Sequence, residues 1–569
     1  MSTDLSGIGI ASRRVETTFA SLERIDRPEI FISIRPIEDC LAEARAVDVR
    51  VASGERLPLA GLVAAVKDNI DVAGLPTTAG SVAYSYKPDN DSTAVARLRS
   101  LGAIVIGKTN LDQFATGLVG TRSPFGPVRN AWDPSRIAGG SSSGSAVAVA
   151  LGIVDVALGT DTAGSGRVPA ALNGIIGVKA TRGLIPTTGS VPACRSIDCI
   201  TVFARDLALA RMTVELISGS DGIDPLSRDD EPGAVLSVRP RVAVPSARHL
   251  EGMSSGWDAA FAASVSRLAA SGVEIVEVDM TPLLEAATML YGGAFVAERY
   301  AAVGEFIDDH HELIGSDLDA TVARIVLAGA APSAADYFAD RERLEKLGLE
   351  SAVLLAGFDA LLTPTTTWHP TLDEVAADPV GSNSRMGRFT NFANLLDMAS
   401  IAVPSGFVDG LPFGVMFTGA AFSDRLLAGL AARLLAPRVD LFVIGAHLSG
   451  QPLNSQLVLA GGNLVRSAST AANYSLFELD TVPKKPGLVA GGSAAIEGEL
   501  WSLTASGFAT FVDALPAPMV IGAVTLADGS VVRGFLCEPR ALNAAREITS
   551  FGGWRSWLAS GVLEPTQAK

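Results

Sequence analysis

Residues able to carry out nucleophilic catalysis concentrate in two short stretches, Ala138–Ala146 and Gly159–Pro169. The first contains four serines within positions 141–145, and the second contains Ser165. The mostly apolar run Ile153–Leu158 between them is short, rich in β-branched residues and bounded by glycines, which predicts a strand. Such a strand would present Ser165 on a tight turn at its end. Small neighbours and a glycine there allow consecutive backbone N–H groups to converge, as an oxyanion hole requires.

A serine is a weak nucleophile and requires a base. None of the five histidines lies near either serine-rich stretch in the sequence, and a lysine acting through a second serine is another known solution. Lys67 ends the apolar run Leu62–Val66. Burial at the end of a strand disfavours the charged ammonium group and lowers its pKa, so the neutral amine becomes accessible. We therefore expect a second serine to relay the proton from Ser165 to Lys67.

Three segments together closely resemble the amidase-signature family of Ser–cis-Ser–Lys hydrolases. They are Val66-Lys67-Asp68-Asn69, Gly139-Gly-Ser-Ser-Ser-Gly-Ser-Ala146 and Asp161-Thr-Ala-Gly-Ser-Gly-Arg167. With further segments the resemblance spans roughly residues 20–436. It implies an α/β chain with the amidase-signature fold, in which a mixed central sheet is covered by helices.

The same resemblance implies a role for each residue of the motifs. Ser165 would be the nucleophile, Ser141 the bridging cis-serine and Lys67 the base. The serines at 141 and 165 are 24 residues apart, which is the usual spacing in the family. The oxyanion hole would be formed by backbone amides of the turn that carries the nucleophile, including those of Thr162, Ala163 and Gly164.

The chain is long enough for more than one domain. At 569 residues it exceeds what a single core supports. Alternating strand and helix signals over residues 61–110 predict a mixed or parallel sheet covered by helices. The pattern changes near Pro437, which predicts a catalytic domain at residues 1–436 and a second domain at residues 441–569. The second domain resembles γ-glutamyl cyclotransferase and is expected to be a smaller α+β fold. Its expected strands are Leu441–Gly445, Phe477–Leu479, Ile496–Leu503, Met519–Leu526 and Ser530–Leu536, with a helix at Ser506–Ala514.

Composition narrows the classes of partner. A net charge of −16 and an isoelectric point of about 4.9 argue against a nucleic acid or an anionic membrane surface as the main partner. The four cysteines are too sparse for a disulfide framework, which favours reduced thiols in a cytoplasmic enzyme. We identify no signal peptide and no apolar run long enough to span a membrane. The predicted chemistry uses no cofactor and no metal.

Two shorter motifs suggest other functions and are set aside. Gly102–Thr109 matches the P-loop pattern, but its four spacer residues read as a strand rather than as a phosphate-binding loop. Gly140–Gly144 matches the nucleophile elbow of α/β-hydrolases, which would make Ser142 the nucleophile. That interpretation explains neither Lys67 nor the second serine-rich stretch.

Three further segments look like those of the allophanate hydrolases, a group within the family: Phe114–Gly126, Pro192–Cys199 and Ile444–Asn454. This resemblance implies hydrolysis of allophanate, a small planar anionic amide, ending in ammonia and CO2. It also implies a homodimer and a functional link to an enzyme that produces allophanate, either a urea carboxylase or a biuret hydrolase.

A pocket for such a substrate needs a cationic fork for the carboxylate and one or two hydrogen-bond donors. The resemblance places Tyr291 and Arg299 in this role, and Gly117 would contact the substrate through its backbone. The residues alone favour a surface helix on which Arg299 pairs with an acid such as Glu298 or Glu305.

Other functions remain open at this stage. His447 is the only histidine of the second domain, so it is either structural or part of a second step in which a carboxylated intermediate loses CO2. The chain could instead hydrolyse another small amide such as malonamate or biuret, or serve as the amidase-like component of a tRNA-dependent amidotransferase. A binding protein with an inactive amidase core is a third class, against which the intact Lys67, Ser141 and Ser165 speak.

Overall fold

The computed structural model describes residues 9–231 and 236–561, and these divide into two compact units. The first comprises the described residues up to 264 together with 274–432, and the second comprises 265–273 together with the described residues from 433 onward. The predicted domains at 1–436 and 441–569 begin or end partly outside the described residues. Among the described helices, none has both the length and the apolar character needed to cross a membrane.

The first unit is built on a mixed sheet of eleven strands in the described residues, which confirms the predicted sheet. The strands are β1 (Phe31–Ile34), β2 (Val63–Lys67), β3 (Ile104–Thr109), β4 (Val156–Asp161), β5 (Ile176–Lys179), β6 (Cys199–Ala204), β7 (Arg241–Pro245), β8 (Glu274–Val278), β9 (Ala360–Pro364), β10 (Ala399–Val408) and β11 (Leu411–Gly419). Their spatial order is β1-β3-β2-β4-β6-β5-β10-β11-β9-β7-β8. Strand β2 is parallel to both β3 and β4, whereas β4, β6, β5, β10, β11 and β9 follow one another antiparallel.

Helices separate and accompany these strands. In the described residues up to 435 they are α1 (Ile10–Ile25), α2 (Ile37–Ala52), α3 (Thr93–Ser100), α4 (Ser143–Ala150), α5 (Val168–Asn173), α6 (Leu207–Ile217), α7 (Trp257–Ala269), α8 (Thr281–Gly292), α9 (Ala297–Asp309), α10 (Ala320–Ala328), α11 (Ala334–Leu354), α12 (Leu372–Ala377), α13 (Pro379–Met386), α14 (Asn391–Leu395) and α15 (Asp424–Leu435). The most buried of them is α4, whose small residues allow it to pack against β2 and β4.

The central strands are buried along their whole length, because helices cover both faces of the sheet there. Every residue of β2, β3 and β4 is buried. Strand β4 begins three residues later than the run predicted at Ile153–Leu158, since Ile153 and Val154 still form turn hydrogen bonds to Ala148. The strand also continues through three polar residues that a hydrophobic pattern does not include. Because β2 and β4 are parallel, their C-terminal ends meet at one edge of the sheet.

The second unit combines a five-stranded and a three-stranded sheet with short helices, which confirms its predicted α+β class. Its elements are β12 (Arg438–Val443), α16 (Asn454–Leu459), β13 (Asn463–Ser469), β14 (Tyr474–Leu479), β15 (Lys485–Ala490), β16 (Glu497–Thr504), α17 (Ala505–Asp513), β17 (Met519–Thr525), β18 (Val531–Cys537), β19 (Arg546–Glu547) and α18 (Trp554–Ala559). The strands absent from the prediction are β13, β15 and β19. Strands β13 and β19 are largely exposed, and β15 carries a lysine and a proline at its start, so none shows a clear apolar alternation.

Candidate active site

Lys67 lies at the C-terminal end of β2 and has no exposed surface. Its amine nitrogen Nζ is 2.7 Å from Ser141 Oγ and 2.7 Å from Thr160 Oγ1. The Thr160 hydroxyl also accepts a hydrogen bond of 3.3 Å from the side-chain amide of Asn69. The register of β2 on β4, with Val66 opposite Leu158, brings these groups together. The amine of Lys67 is thus bound by two hydroxyl groups.

Burial lowers the pKa of Lys67 to about 7, from an ordinary value of 10.5. The buried carboxyl groups of Asp112, Asp198 and Asp161 act in the opposite direction but do not outweigh the loss of hydration. The neutral amine is therefore well populated near neutral pH. In that form it can accept a proton across the 2.7 Å contact with Ser141.

Ser141 follows Gly140 through a cis peptide bond and lies just before α4. The backbone approaches Asp112 closely here, since a Cβ atom at position 140 would lie 2.1 Å from Asp112 Oδ2. Asp112 also accepts hydrogen bonds from the backbone amides of Gly120 and Arg122, over 2.9 and 3.0 Å. A glycine at position 140 is therefore required for Ser141 to reach Lys67.

The neighbouring Ser142 has a different role. Its hydroxyl donates a 3.0 Å hydrogen bond to the carbonyl oxygen of Thr160 and is fully buried. This contact fastens the start of α4 to β4. It does not favour the nucleophile-elbow interpretation. The P-loop interpretation of Gly102–Thr109 is excluded by β3, which contains most of its spacer residues.

The turn that carries Ser165 is clamped by a buried ion pair. The Nε and Nη2 atoms of Arg167 each donate to a different oxygen of Asp161 over 2.9 Å, and both side chains are fully buried. Burial alone would raise the pKa of Asp161, but the guanidinium beside it holds that pKa below the usual range. The same carboxylate accepts the backbone amides of Gly164 and Gly166 over 2.8 and 2.9 Å. The shape of the turn is thereby fixed before any substrate binds.

The predicted oxyanion hole needs a correction at Gly164. Its amide already donates to Asp161, so it is not available to a substrate. The backbone amides of Thr162, Ala163 and Ser165 form no hydrogen bond within the described part of the chain. Gly164 contributes in another way, because its φ of 129° lies in a region that favours glycine. The available set is therefore residues 162, 163 and 165.

Ser165 is almost completely buried, and its hydroxyl donates a 3.4 Å hydrogen bond to the carbonyl oxygen of Gly117. No hydrogen bond between Ser165 and Ser141 is formed among the described residues. Two of the three links of the predicted relay are thus in place around Lys67, and the Ser165 hydroxyl has to turn from Gly117 toward Ser141 to complete it. Gly117 lies beside Ser165 as predicted for a substrate contact.

Arg299 lies on α9 and is buried, so the interpretation of its region as a surface helix is wrong. Its Nη1 atom donates to Thr116 Oγ1 over 2.8 Å, and its Nη2 atom donates to the Tyr291 hydroxyl over 3.2 Å. Its Nε atom is buried without a partner. Glu298 does not pair with it, because that carboxylate accepts the backbone amide of Ser196 instead. No ion pair to Arg299 occurs among residues 9–231 and 236–561.

A loop that sequence reasoning did not single out joins the two halves of this site. Asp198 accepts the Thr162 hydroxyl over 2.5 Å and the backbone amide of Ala193 over 2.8 Å. Ser196, two residues earlier, binds Glu298 on α9. The loop 193–198 therefore connects the oxyanion turn to the helix that carries Arg299. Asp198 and Thr160 have no sequence signal of their own, since a buried aspartate or threonine at a strand end is common in many folds.

His447 follows β12 in the second unit and lines a small cavity of about 20 Å³, together with Lys485 and Met519. Its ring stacks on Phe535 with centroids 5.0 Å apart, and its Nε2 atom lies 3.0 Å from the side-chain oxygen of Gln456. Burial lowers its pKa. A cavity of this size holds about one water molecule. Within the residues described, no cluster of three or more histidine, cysteine, aspartate or glutamate side chains could hold a metal ion.

The fold and the buried serine and lysine side chains are those of an amidohydrolase. A sequence profile of the family described as Amidase matches residues 16–428, and the chain belongs to this family. A second profile, described as the allophanate hydrolase C-terminal domain, matches residues 439–559.

Individual proteins show the same two-part similarity. The solved structure of Kluyveromyces lactis allophanate hydrolase has a TM-score of 0.71 and 38% identity, and covers 97% of this chain and 99% of that one. The urea amidolyase of Saccharomyces cerevisiae is 40% identical over 562 residues, or 90% of this chain. The chain spans only 30% of the length of that relative. The amidase-like component of the glutamyl-tRNA(Gln) amidotransferase of Symbiobacterium thermophilum is 34% identical over 456 residues, covering 73% of this chain and 92% of that protein.

The position of Ser165 leads to the first prediction. Replacing it (Ser165→Ala) should reduce ammonia release from a small amide by at least about a thousand-fold, since a covalent nucleophile is lost. The control is Ser142→Ala, which removes a structural hydrogen bond and should keep most of the turnover. Full activity in Ser165→Ala combined with loss in Ser142→Ala would favour the nucleophile elbow instead.

The pKa of Lys67 leads to the second prediction. Because only the neutral amine can accept a proton, kcat/KM should fall as the pH is lowered through about 7. Lys67→Arg keeps a positive charge that does not dissociate at any working pH, so it should be inactive throughout the profile. Steady-state rates between pH 5 and 9, with circular dichroism to check folding, measure this. Substantial activity in Lys67→Arg would make the lysine a structural residue.

Proposed function

We propose that the chain hydrolyses the terminal amide of allophanate, releasing ammonia. The observation that carries this proposal is the buried guanidinium of Arg299, which has no carboxylate partner among the described residues and is held through Thr116, the neighbour of Gly117. A buried cation without an ion pair is costly unless a ligand supplies the anion. An amide that also bears a carboxylate fits both Arg299 and Ser165.

The reaction follows from the positions of the side chains. The Ser165 hydroxyl attacks the amide carbonyl carbon while its proton passes through Ser141 to Lys67. The backbone amides of Thr162, Ala163 and Ser165 bind the oxyanion that forms. The C–N bond then breaks, and ammonia leaves with the proton returned from Lys67. Water hydrolyses the acyl-enzyme by the same relay and yields the dicarboxylated nitrogen compound, which loses CO2.

The substrate carboxylate would be bound by Arg299 and Tyr291. Two Arg299 nitrogen atoms are held by Thr116 and Tyr291, which fixes the plane of the guanidinium. A guanidinium has five N–H groups, so donors remain for a two-pronged contact with a carboxylate. The cation also lies over the Tyr291 ring, 5.0 Å from its centroid, which supports the same orientation.

The wider context is also part of the proposal. The match of residues 439–559 to the allophanate hydrolase C-terminal domain favours allophanate over malonamate or biuret, and the amidotransferase alternative leaves this region without an account. We infer that the chain acts in the cytoplasm as a homodimer and uses allophanate made by a urea carboxylase or a biuret hydrolase. The similarity to a urea amidolyase more than three times as long supports the link to urea degradation.

A second step is proposed for the other unit. His447 is an imidazole whose pKa is lowered by burial, and it lines a cavity that also contains Lys485. A neutral imidazole and an ammonium group together could bind the carboxylated product and supply the proton required when CO2 leaves. This observation favours a catalytic over a purely structural histidine.

The role of Arg299 leads to the third prediction. Arg299→Lys should raise the KM for allophanate by roughly ten-fold to a hundred-fold, because a single ammonium group loses the two-pronged contact and the hydrogen bond to Tyr291. The control is Arg324→Lys on the exposed side of α10, which should leave KM unchanged. An ammonia-release panel over allophanate, malonamate, biuret and urea tests the substrate. Unchanged kinetics in Arg299→Lys, or no turnover of allophanate by the unaltered chain, would contradict the proposal.

The cavity around His447 leads to the fourth prediction. His447→Ala in the full chain should leave the release of the first ammonia intact and slow CO2 release relative to ammonia. Parallel measurement of both products separates the outcomes. Equal loss of both would identify a structural histidine, and unchanged release of both would mean that the second unit has no part in the chemistry.

A further inference from the structure

One short segment holds both the proposed nucleophile and the proposed carboxylate-binding group. The carbonyl oxygen of Gly117 accepts the Ser165 hydroxyl over 3.4 Å, and the side chain of the preceding residue, Thr116, accepts Arg299 Nη1 over 2.8 Å. The positions of Ser165 and Arg299 are therefore set by adjacent residues of the same backbone.

The hydroxyl of Thr116 is oriented so that it can only accept from Arg299. It donates its own proton to the carbonyl oxygen of Phe114 over 3.2 Å, which leaves its lone pairs for the guanidinium. Thr116 is 1% exposed, and Arg299 is also 1% exposed, so water does not compete strongly for this hydrogen bond. A charge-assisted hydrogen bond in such surroundings is strong and directional.

The backbone under Thr116 is held in an unusual conformation. Phe114 and Ala115 have φ values of 50° and 52°, in the left-handed region that non-glycine residues rarely occupy. The amide of Phe114 donates to the carbonyl oxygen of Ala79 over 2.8 Å, and its ring packs edge-on against Tyr84 with centroids 5.3 Å apart. Such a conformation persists only where its surroundings determine it, and functional sites are common places for it. Thr116 is consequently presented from a rigid support.

We propose that Thr116 is a positioning residue for substrate specificity. By fixing the guanidinium of Arg299 relative to Ser165, its hydroxyl sets the distance between the carboxylate of a substrate and the carbonyl that is attacked. The site is thereby matched to amides in which one atom separates these two groups, as in allophanate and malonamate. Succinamate, with two intervening carbon atoms, is discriminated against. This inference rests on the proposed function of Arg299 as the carboxylate-binding group.

The test compares Thr116→Val, which keeps the shape of the side chain but removes the hydroxyl, with Thr116→Ser, which keeps the hydroxyl. Thr116→Val should raise the KM for allophanate about ten-fold, the effect of losing one hydrogen bond to a charged group, while kcat changes by less than about three-fold. The inhibition constant of malonate, a dicarboxylate that cannot be hydrolysed, should rise by a similar factor. Thr116→Ser should restore both constants to within about two-fold of the original values.

Specificity supplies a readout that a general loss of stability does not change. The ratio of kcat/KM for malonamate to that for succinamate should fall in Thr116→Val and recover in Thr116→Ser. If Thr116→Val does not fold, as judged by circular dichroism and thermal unfolding, Thr116→Ala carries the same comparison with a smaller side chain.

Three results would overturn the inference: unchanged KM and malonate inhibition in Thr116→Val, an equal defect in Thr116→Ser, or a loss confined to kcat with the substrate ratio preserved. Failure of the proposed function is a separate result. It would be seen as an absence of allophanate turnover in the unaltered chain, whatever the Thr116 variants do.

Discussion

The site depends on keeping one lysine uncharged inside the protein. The lowering of the Lys67 pKa from 10.5 to about 7 corresponds to about 5 kcal/mol against the ammonium form. This effect requires strands buried on both faces, and it requires neighbours that can bind an amine without stabilising a cation. Ser141 and Thr160 meet that need with hydroxyl groups. Lys108, on the adjacent strand β3, is equally buried but lies 3.2 Å from Asp68, so it is an ion-paired structural residue.

The two fully buried arginines of the first unit differ in the same way. Arg167 has its charge matched by Asp161, and the pair fixes the turn around Ser165. Arg299 is bound by hydroxyl groups of Thr116 and Tyr291, which orient it but leave its charge uncompensated. Buried charges that are paired within the protein hold the backbone in place, whereas those left with neutral partners remain available to a substrate. Partner type, rather than burial, separates the structural cations from the functional ones.

Much of this arrangement could be predicted from the sequence because the motifs lie at the ends of buried strands. Lys67 and Ser141 form the hydrogen bond that was expected of them, and the mixed sheet and the α+β second unit were also expected. The role of Gly164 could not be predicted, since a sequence does not show that Asp161 folds back onto its amide. The burial of Arg299 on an amphipathic helix was equally hidden, because it depends on which tertiary neighbours cover that face.

The polar groups that the protein leaves without partners lie where a substrate would carry negative charge. The amides of Thr162, Ala163 and Ser165 form no hydrogen bond within the described residues, and Arg299 Nε is buried without an acceptor. Buried donors of this kind normally destabilise a fold. Their persistence is understandable if one set meets the developing oxyanion and the other meets the carboxylate, since each then gains its hydrogen bonds during the reaction. Asp161 and the loop 193–198 hold the first set rigid, so little reorganisation is needed when the charge appears.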